Sequence, residues 1–362
     1  MKQTRKEMKI LIIKLRNIGD TLLITPLFEN LKIHFGESSI LDVLVNDGTE
    51  GILPHQNIRK IHILKRAGKF QKLQYGIKLL RAIRDEKYDI VISLTSGERS
   101  AFLSLVSGAK MRIGFSPKAF WARPIYTHNL QEKYQHTIDN NLESLRALNI
   151  PIITKKVQAA KSQELPNFQI PKNFIHLHFF SRWMFKALSD DFCAKIIDFI
   201  TQTYAIECLL TCSNQQELEK LQSILNLSQN KPKFLNNLSL AEVSLLNSKA
   251  KAFVGVDTAI MHLSAANNTP TFAFFGPSGA IHWGPWDNDL FTSTYTQKNG
   301  IQRMGKHLVY QESFPCVPCG RDGCEGSKKS DCLLTKLNEE LALRILKDFL
   351  DPLLLPLRGE KP

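Results

Sequence analysis

The stretch from Ala252 to Trp286, AFVGVDTAIMHLSAANNTPTFAFFGPSGAIHWGPW, limits the possible folds more than any other part of the chain. An apolar run (Ala252 to Val256) stops at Asp257-Thr258, a helix-compatible segment continues through Ala266, and a second apolar run (Thr271 to Phe275) stops at Gly276-Pro277-Ser278. Two strand-length apolar runs joined by a helix describe a strand, helix, strand unit with polar residues at both strand ends. In open parallel sheets ligands sit outside those carboxyl ends, where a helix N-terminus offers unpaired N–H groups to an anion. The stretch therefore reads first as a phosphate site.

The same alternation runs along the whole chain. Lys9 to Lys14 (KILIIK) is a buried-strand pattern, followed by Arg16-Asn17-Ile18-Gly19-Asp20-Thr21 and a helical stretch to about Phe35. Gly19 permits a tight turn there, and Asp20 or Thr21 is expected to cap the helix. Strands are expected at Ile40 to Val45, Ile61 to Leu64 and Asp89 to Leu94, with helices over Phe70 to Lys87, near Ser100 to Ser107 and over Tyr134 to Leu148. Residues 151–172, with Pro151, Pro166 and Pro171 among polar residues, read as a linker. A second series follows: strand Phe174 to Phe179, helix Ser189 to Tyr204, strand Ile206 to Thr211, helix Gln215 to Leu225, a short strand near Phe234 and helix Ser239 to Asn247. Alternation of this kind implies parallel sheets covered by helices. The fold class is α/β: two Rossmann-like, doubly wound domains facing a cleft, at residues 1–160 and 161–334.

Residues 335–362 hold a helix in which Leu337, Leu341, Ile345, Leu346, Phe349 and Leu350 lie at helical spacing opposite charged residues. Its mixed charge favours docking on the protein over a membrane-surface role, and it is expected to pack back across the cleft.

At 362 residues the chain accommodates two domains with separate cores. No apolar run approaches the ~20 residues that span a bilayer. The N-terminal apolar run ends at Lys14 and no small-residue cleavage site follows, so a cytoplasmic protein is expected. The formal net charge of +13 implies an anionic partner. Residues 51–84 contain Arg59, Lys60, Lys65, Arg66, Lys69, Lys72, Lys78, Arg81 and Arg84 and not one acid. A solvated helix face and an anion-facing surface are both open for this stretch. Nucleic acid is the weaker candidate partner, because the stretch lacks basic and aromatic interleaving and no nucleic-acid motif is present. A nicotinamide-dependent dehydrogenase ranks last, since RNIGDT, not G-x-G-x-x-G, follows the first strand.

Four segments together resemble glycosyltransferase family 9, the ADP-heptose lipopolysaccharide heptosyltransferases, and most closely the heptosyltransferase III subgroup. They are ILIIKLRNIGDTLLITP, HLHFFSRWMFKALS, FVGVDTAIMHLSAANNTPTFAFFGPS and PCVPCGRDGCEGSKKSDCL. The resemblance implies the GT-B fold, an acceptor-binding first domain, a nucleotide-sugar-binding second domain, inversion at the anomeric carbon and no catalytic metal. Inverting transfer is one displacement, so it needs a general base and a positive group for the departing diphosphate. Asp20 matches the family's catalytic aspartate, and Lys186, with Ser181, its grip on the donor phosphates. The donor is then ADP-heptose and the acceptor the inner core of lipopolysaccharide, with peripheral contact at the inner membrane face.

In the opening stretch Thr258 and the N–H groups after it suit phosphate oxygens. Asp257 would repel a dianion, so it is assigned to capping the helix or to sugar hydroxyls. His262 lies one turn later on the same face, where a packed core histidine is an equal alternative. Gly276 closes the second strand end, and Thr211, Ser213 and Glu217 flank the expected nucleoside. Arg16, Arg99, Arg112 and Arg123 are the candidates for acceptor phosphate, because guanidinium grips phosphate in a fork. Asp287-Asn288-Asp289 is formally a DxD but sits in a turn-like segment, so it is read as a surface loop. No cofactor is required for the reaction. Cys316, Cys319, Cys324 and Cys332, spaced C-x2-C-x4-C-x7-C, leave a structural zinc site and four free thiols equally open.

Overall fold

The computed structural model describes residues 7–65, 69–166 and 168–355, without the side chains of residues 69–72. The chain divides into two compact units, residues 1–160 and 161–362.

The first unit carries strands β1 (Lys9–Lys14), β2 (Ile40–Asn46), β3 (Lys60–Leu64), β4 (Ile90–Ser93), β5 (Met111–Phe115) and β6 (His128–Leu130). Its helices are α1 (Ile18–Leu22), α2 (Pro26–Phe35), α3 (Lys69–Asp85), α4 (Glu98–Val106) and α5 (Thr137–Ala147). The sheet is parallel, in the order β3-β2-β1-β4-β5-β6. Central β1 is apolar on both faces, and Ile10 to Ile13 are fully buried. Strands covered on both sides read as continuous apolar runs, which is why this strand is legible. The helical stretch after it is broken into α1 and α2. Pro26, which lacks an N–H, occupies the first turn of α2, where the missing donor costs nothing.

The second unit carries β7 (Phe174–His178), β8 (Glu207–Cys212), β9 (Lys233–Asn236), β10 (Ala252–Val256), β11 (Thr271–Phe275), β12 (Gln302–Met304) and β13 (His307–Gln311). Its helices are α6 (Asp190–Tyr204), α7 (Gln215–Leu227), α8 (Leu240–Lys249), α9 (Ala259–Ala266), α10 (Ala280–Trp283), α11 (Asp331–Leu334) and α12 (Glu339–Leu354). The strand order is β12-β13-β11-β10-β7-β8-β9, with only β12 antiparallel. Apart from β12, both sheets follow one winding scheme. The chain starts in the middle, fills one side, then crosses back to fill the other. The crossover leaves a switch point between β1 and β4 in the first sheet and between β7 and β10 in the second, where ligands bind in such folds.

Side-chain caps set several helix starts. Ser189 accepts from Phe192 N at the start of α6, Asn214 from Glu217 N at α7, and Ser239 from Glu242 N at α8. Four strands, β5, β6, β12 and β13, are absent from the sequence reading. MRIGF, HNL, QRM and HLVYQ are short, and polar residues interrupt them. The segment 151–160 is tied down within the first unit. Asn30 bonds Ile153 N and Thr154 N and O, and Ala160 N bonds Ile52 O. Helix α12 buries Leu346, Phe349, Leu350 and Leu354, with the Phe349 ring 5.5 Å from that of Phe272, so its apolar stripe belongs to the second unit's core.

Candidate functional site

In the second unit, β7 and β10 are neighbours in the sheet and release their chains side by side at the switch point. Gly255 is needed for this approach, because a Cβ there would stand 2.4 Å from the carbonyl oxygen of His178. After β7 the chain runs through Ser181 and Trp183 into a single 3-10 turn, Met184–Lys186, which turns the lysine back over the strand ends. After β10 come Asp257 and Thr258. Lys186 Nζ lies 2.5 Å from Asp257 Oδ2, with the lysine side chain 20% and the aspartate 7% exposed.

Burial alone would push the Asp257 carboxyl up, but the Lys186 charge and hydrogen bond and a Ser278 hydrogen bond outweigh it, with His262 adding a smaller pull. The carboxyl is held below its ordinary value. Ser278 belongs to the turn after β11, and Gln311 braces that turn by donating to Gly276 O and Ser278 O, each at 2.7 Å. Gly276 itself leaves no room for a side chain, since a Cβ would meet Leu333 at 2.5 Å. Helix α9 starts beside these groups. Its N-cap is Thr258, extended at φ −149° and ψ 166°, so the first-turn N–H groups point outward at the strand ends. His262 is buried one turn on, its N–H bonded to Thr258 O. A cation, a helix N-terminus and a ring of hydroxyl groups at one switch point can hold a diphosphate.

One expectation for this region is corrected. Asp257 does not cap α9, because Thr258 takes that position and Asp257 instead pairs with Lys186. Thr211, Ser213 and Glu217 are engaged within the protein. The Thr211 hydroxyl lies 2.8 Å from His176 Nε2 and 3.0 Å from His178 Nδ1. Burial pushes the His176 imidazole down to about 3 and that of His178 to about 4. Glu217 Oε2 accepts from Ser213 N at 2.7 Å and Ser213 Oγ at 2.8 Å, locking the start of α7. Ser181 Oγ accepts from Trp183 N at 3.3 Å, which shapes the Lys186 loop.

The DxD reading is also corrected. Asp287 is 1% exposed, its carboxylate accepting from Asp289 N and Lys306 N, both at 2.9 Å. Lys306 Nζ pairs with Asp289 at 2.5 Å and lies 3.6 Å from Asp287. Asp287 is thus a buried brace and not part of a surface loop, and the lysine takes the place a cation would fill. Gly305, at φ +54°, is required beneath it.

In the first unit, Asp20 sits in α1, just past the carboxyl end of β1. The N-cap is Asn17, not Asp20 or Thr21; Asp20 is three residues further and reaches back to Asn17 N at 3.4 Å. Lys14, the last residue of β1, was not anticipated. It is buried, donates to Leu94 O at 3.1 Å and Asn141 Oδ1 at 3.3 Å, and stands 3.9 Å from Asp20 Oδ1. Burial pushes this ammonium down, and the Asp20 charge partly restores it. A lysine ending an otherwise apolar strand was the available signal.

Arg16 lies at the same strand end, Nη2 3.4 Å from Ser96 Oγ, and Arg99 is exposed near the start of α4. Arg123 Nε donates to Pro117 O at 3.4 Å. Arg112 is different: it sits at the amino end of β5, opposite the Asp20 edge, with its guanidinium on Ile125 O (2.6 Å) and Ala109 O (2.5 Å). It braces the β5 connection and is withdrawn as an acceptor contact. Within the basic stretch, Arg59 and Lys60 pair with acids outside it, Arg59 with Asp42 and Glu86 and Lys60 with Glu86. Lys65, Lys78 and Arg99 instead rim a cavity of about 460 Å³, with Ile61, Leu79 and Phe102 among its walls. The side chains of Arg66, Lys69 and Lys72 lie outside the described residues.

Among the described residues no three His, Cys, Asp or Glu side chains converge at metal-binding distances.

The family described as glycosyltransferase family 9 (heptosyltransferase) matches residues 77–308. Lipopolysaccharide heptosyltransferase 3 of Escherichia coli is 26% identical over 320 residues, covering 83% of this chain and 93% of the relative. A glycosyl transferase family 9 structure from Veillonella parvula superposes with a TM-score of 0.75 at 19% identity, covering 98% of this chain and 99% of that one. E. coli heptosyltransferase WaaC with ADP-2-deoxy-2-fluoro heptose gives a TM-score of 0.67 at 17% identity, covering 94% and 99%. With the family matched across well over half its length, and two doubly wound sheets of the GT-B kind, this chain belongs to glycosyltransferase family 9, the heptosyltransferases.

Proposed function

We propose that this transferase moves L-glycero-D-manno-heptose from its ADP-sugar to the inner core of lipopolysaccharide, with inversion at the anomeric carbon. The observation that carries this reading is the Lys186 and Asp257 pair beside the first turn of α9. Lys186 takes the developing charge of the leaving diphosphate, and the α9 N–H groups and Thr258 take its other oxygens. Asp257 holds the lysine in place. Asp20 of the first unit removes the proton from the acceptor hydroxyl, with the buried Lys14 ammonium 3.9 Å from its carboxylate.

The named relatives support the donor and acceptor classes, since one is a lipopolysaccharide heptosyltransferase and another was solved with an ADP-heptose analogue. The acceptor is an amphiphile, and the first unit offers it matching chemistry. Arg16, Arg99 and Arg123 suit its phosphates. Leu73, Tyr75 and Ile77 of α3 are exposed apolar side chains close in sequence to Lys65, Lys78 and Arg81. This face favours peripheral contact with an anionic inner leaflet from the cytoplasmic side. Among the described residues no helix is long and apolar enough to cross a membrane.

The test is ADP release from ADP-heptose in the presence of a truncated core acceptor, with the anomeric configuration of the product read by NMR. Acceptor-dependent ADP release with an inverted product is expected. Release from ADP-heptose that ignores the acceptor, or a retained configuration, would overturn the reading.

A further inference from the structure

Helix α3 leaves a gap where it crosses the first sheet. Gly76, Leu80 and Ile83 follow one another at helical spacing, and Ile83 is fully buried, so Gly76 occupies the stripe that faces the core. A core-facing stripe ordinarily carries an apolar side chain there. Glycine carries none, and a Cβ at Gly76 would meet nothing within 4 Å. The gap is the cavity of about 460 Å³ between α3, α4 and β3, which is within the range of about 300–1,000 Å³ of small-molecule sites. Leu64, Leu79 and Leu80 pack against the core of this unit yet stay only half-buried, because the cavity lies against them.

The cavity is apolar inside and basic at its mouth. His62, buried in its wall, meets Tyr88 Oη through Nε2 at 2.9 Å, and the Tyr88 hydroxyl donates to Asp42 Oδ2 at 2.6 Å, so this ring nitrogen donates and offers no charge to the interior. Lys65, Lys78 and Arg99 are exposed at the opening. Lys65 Nζ stands 5.1 Å from the centre of the Tyr75 ring, which brings the end of β3 against α3. Among the described residues none of these three cations pairs with an acid, whereas Arg59 and Lys60 are held by Asp42 and Glu86. Glu98, next to Arg99, accepts from Ala119 N at 3.4 Å. Helices α3 and α4 also expose Leu73, Ile77, Phe102 and Leu105.

An apolar interior with cations only at the opening fits an alkyl chain whose head group is anionic. We propose that this cavity takes one acyl chain of an anionic phospholipid, with Lys65, Lys78 and Arg99 on its phosphate. The chain fills the space that Gly76 leaves open, and the head group stays at the mouth, where water and the three cations meet it. The exposed apolar side chains of α3 and α4 rest on the leaflet that supplies the lipid. This site presupposes the membrane contact in the proposed function and gives it a lipid class and a binding pocket. Binding is noncovalent, and neither the donor site nor Asp20 takes part in it.

The test uses the full chain with two probes. Co-sedimentation is measured with vesicles of phosphatidylcholine alone and of equal parts phosphatidylcholine and phosphatidylglycerol, and only the latter should carry the protein down. Calorimetry then follows octyl, decyl and dodecyl phosphate below their micelle concentrations, where affinity should rise about fourfold with each added CH2. Dodecyl maltoside, with the same chain and a neutral head, should bind about tenfold more weakly or worse. Gly76→Phe fills the cavity from a position with open space and improves the helix, so it should melt no lower than wild type. It should weaken alkyl phosphate and vesicle binding by about tenfold or more and leave ADP release with a truncated core acceptor unchanged. Wild-type protein that sediments with neither vesicle would remove the membrane contact and the lipid site with it. Vesicle binding that Gly76→Phe leaves intact would overturn the lipid site alone, as would alkyl phosphate affinity that ignores chain length. A rise in KM confined to fully acylated acceptor, with vesicle binding intact, would assign the cavity to the acceptor's own chain and overturn the phospholipid. The chain-length series in unaltered protein decides the outcome if Gly76→Phe does not fold.

Discussion

Lys186 Nζ stands 2.5 Å from Asp257 Oδ2, joining the chain ends of β7 and β10 across the switch point of the second sheet. The pair ties the two strand ends together and keeps a cation aimed at the proposed diphosphate position. Lys186→Met should lower kcat/KM by about 10²-fold or more, a loss of about 2.7 kcal/mol in transition-state stabilisation. Asp257→Asn should have a smaller effect, expressed mainly in the KM for the donor. ADP-release kinetics with both variants would check this order, and equal wild-type rates in Lys186→Met would remove the lysine from the mechanism.

The same pair sets a pH signature. The Asp257 carboxyl is depressed in the folded protein, so its stabilising contribution is present above the unfolded value of about 3.9 and is lost as pH falls through the folded value. Without Lys186, burial dominates and the carboxyl is pushed up. Its contribution then reverses, and stability falls as pH rises through the carboxylate range. Thermal melts of the wild type and Lys186→Met between pH 3 and 7 should diverge as pH rises, by about 2–4 kcal/mol.

Asp20→Asn keeps the size of the side chain and removes the base. It should reduce kcat by about 10²- to 10⁴-fold while leaving the donor KM within about twofold. Near-normal acceptor-dependent ADP release would show that another group takes the proton.

His176 and His178 are held neutral by burial, at about 3 and about 4. Depressed imidazoles are taken up by protons first in the unfolded chain, so their contribution is full above about pH 6.5 and declines as pH falls toward 4. Denaturant unfolding should show a loss of about 1–3 kcal/mol over that window. Replacing His176 with Gln should flatten this slope.

Asp287 is braced by Lys306 and two backbone N–H groups. EDTA should therefore leave the transfer rate unchanged, whereas loss of rate restored by Mg2+ would return this aspartate to the metal question. Gly305→Ala places a Cβ 2.0 Å from Asp287 Oδ2 in a left-handed backbone, and should lower stability by about 1–3 kcal/mol.

Much of this was legible in the chain. Continuous apolar runs such as ILII and AFVGV mark central parallel strands because both of their faces are covered, and the residues ending them fall at carboxyl edges by geometry alone. Asp20 and Thr258 could be placed at those edges without coordinates, whereas Lys186, eight residues past the end of β7, was singled out by the family resemblance. Strands β5, β6, β12 and β13 could not: β6 and β12 are three-residue edge strands, and β5 and β13 mix polar with apolar residues, so pairing with their neighbours is what defines them.

What the sequence determined by itself was the α/β alternation, the two units and the strand ends at which chemistry collects. Only the tertiary structure decided how the charged groups pair. Asp257 lies 71 residues from Lys186, Lys14 reaches a side chain 127 residues away at Asn141, and Arg112 turns onto the backbone. A local sequence pattern reports which face of an element is apolar, because that depends on residues three or four apart. Which cation meets which carboxylate depends on where the winding of the sheet brings distant strand ends together.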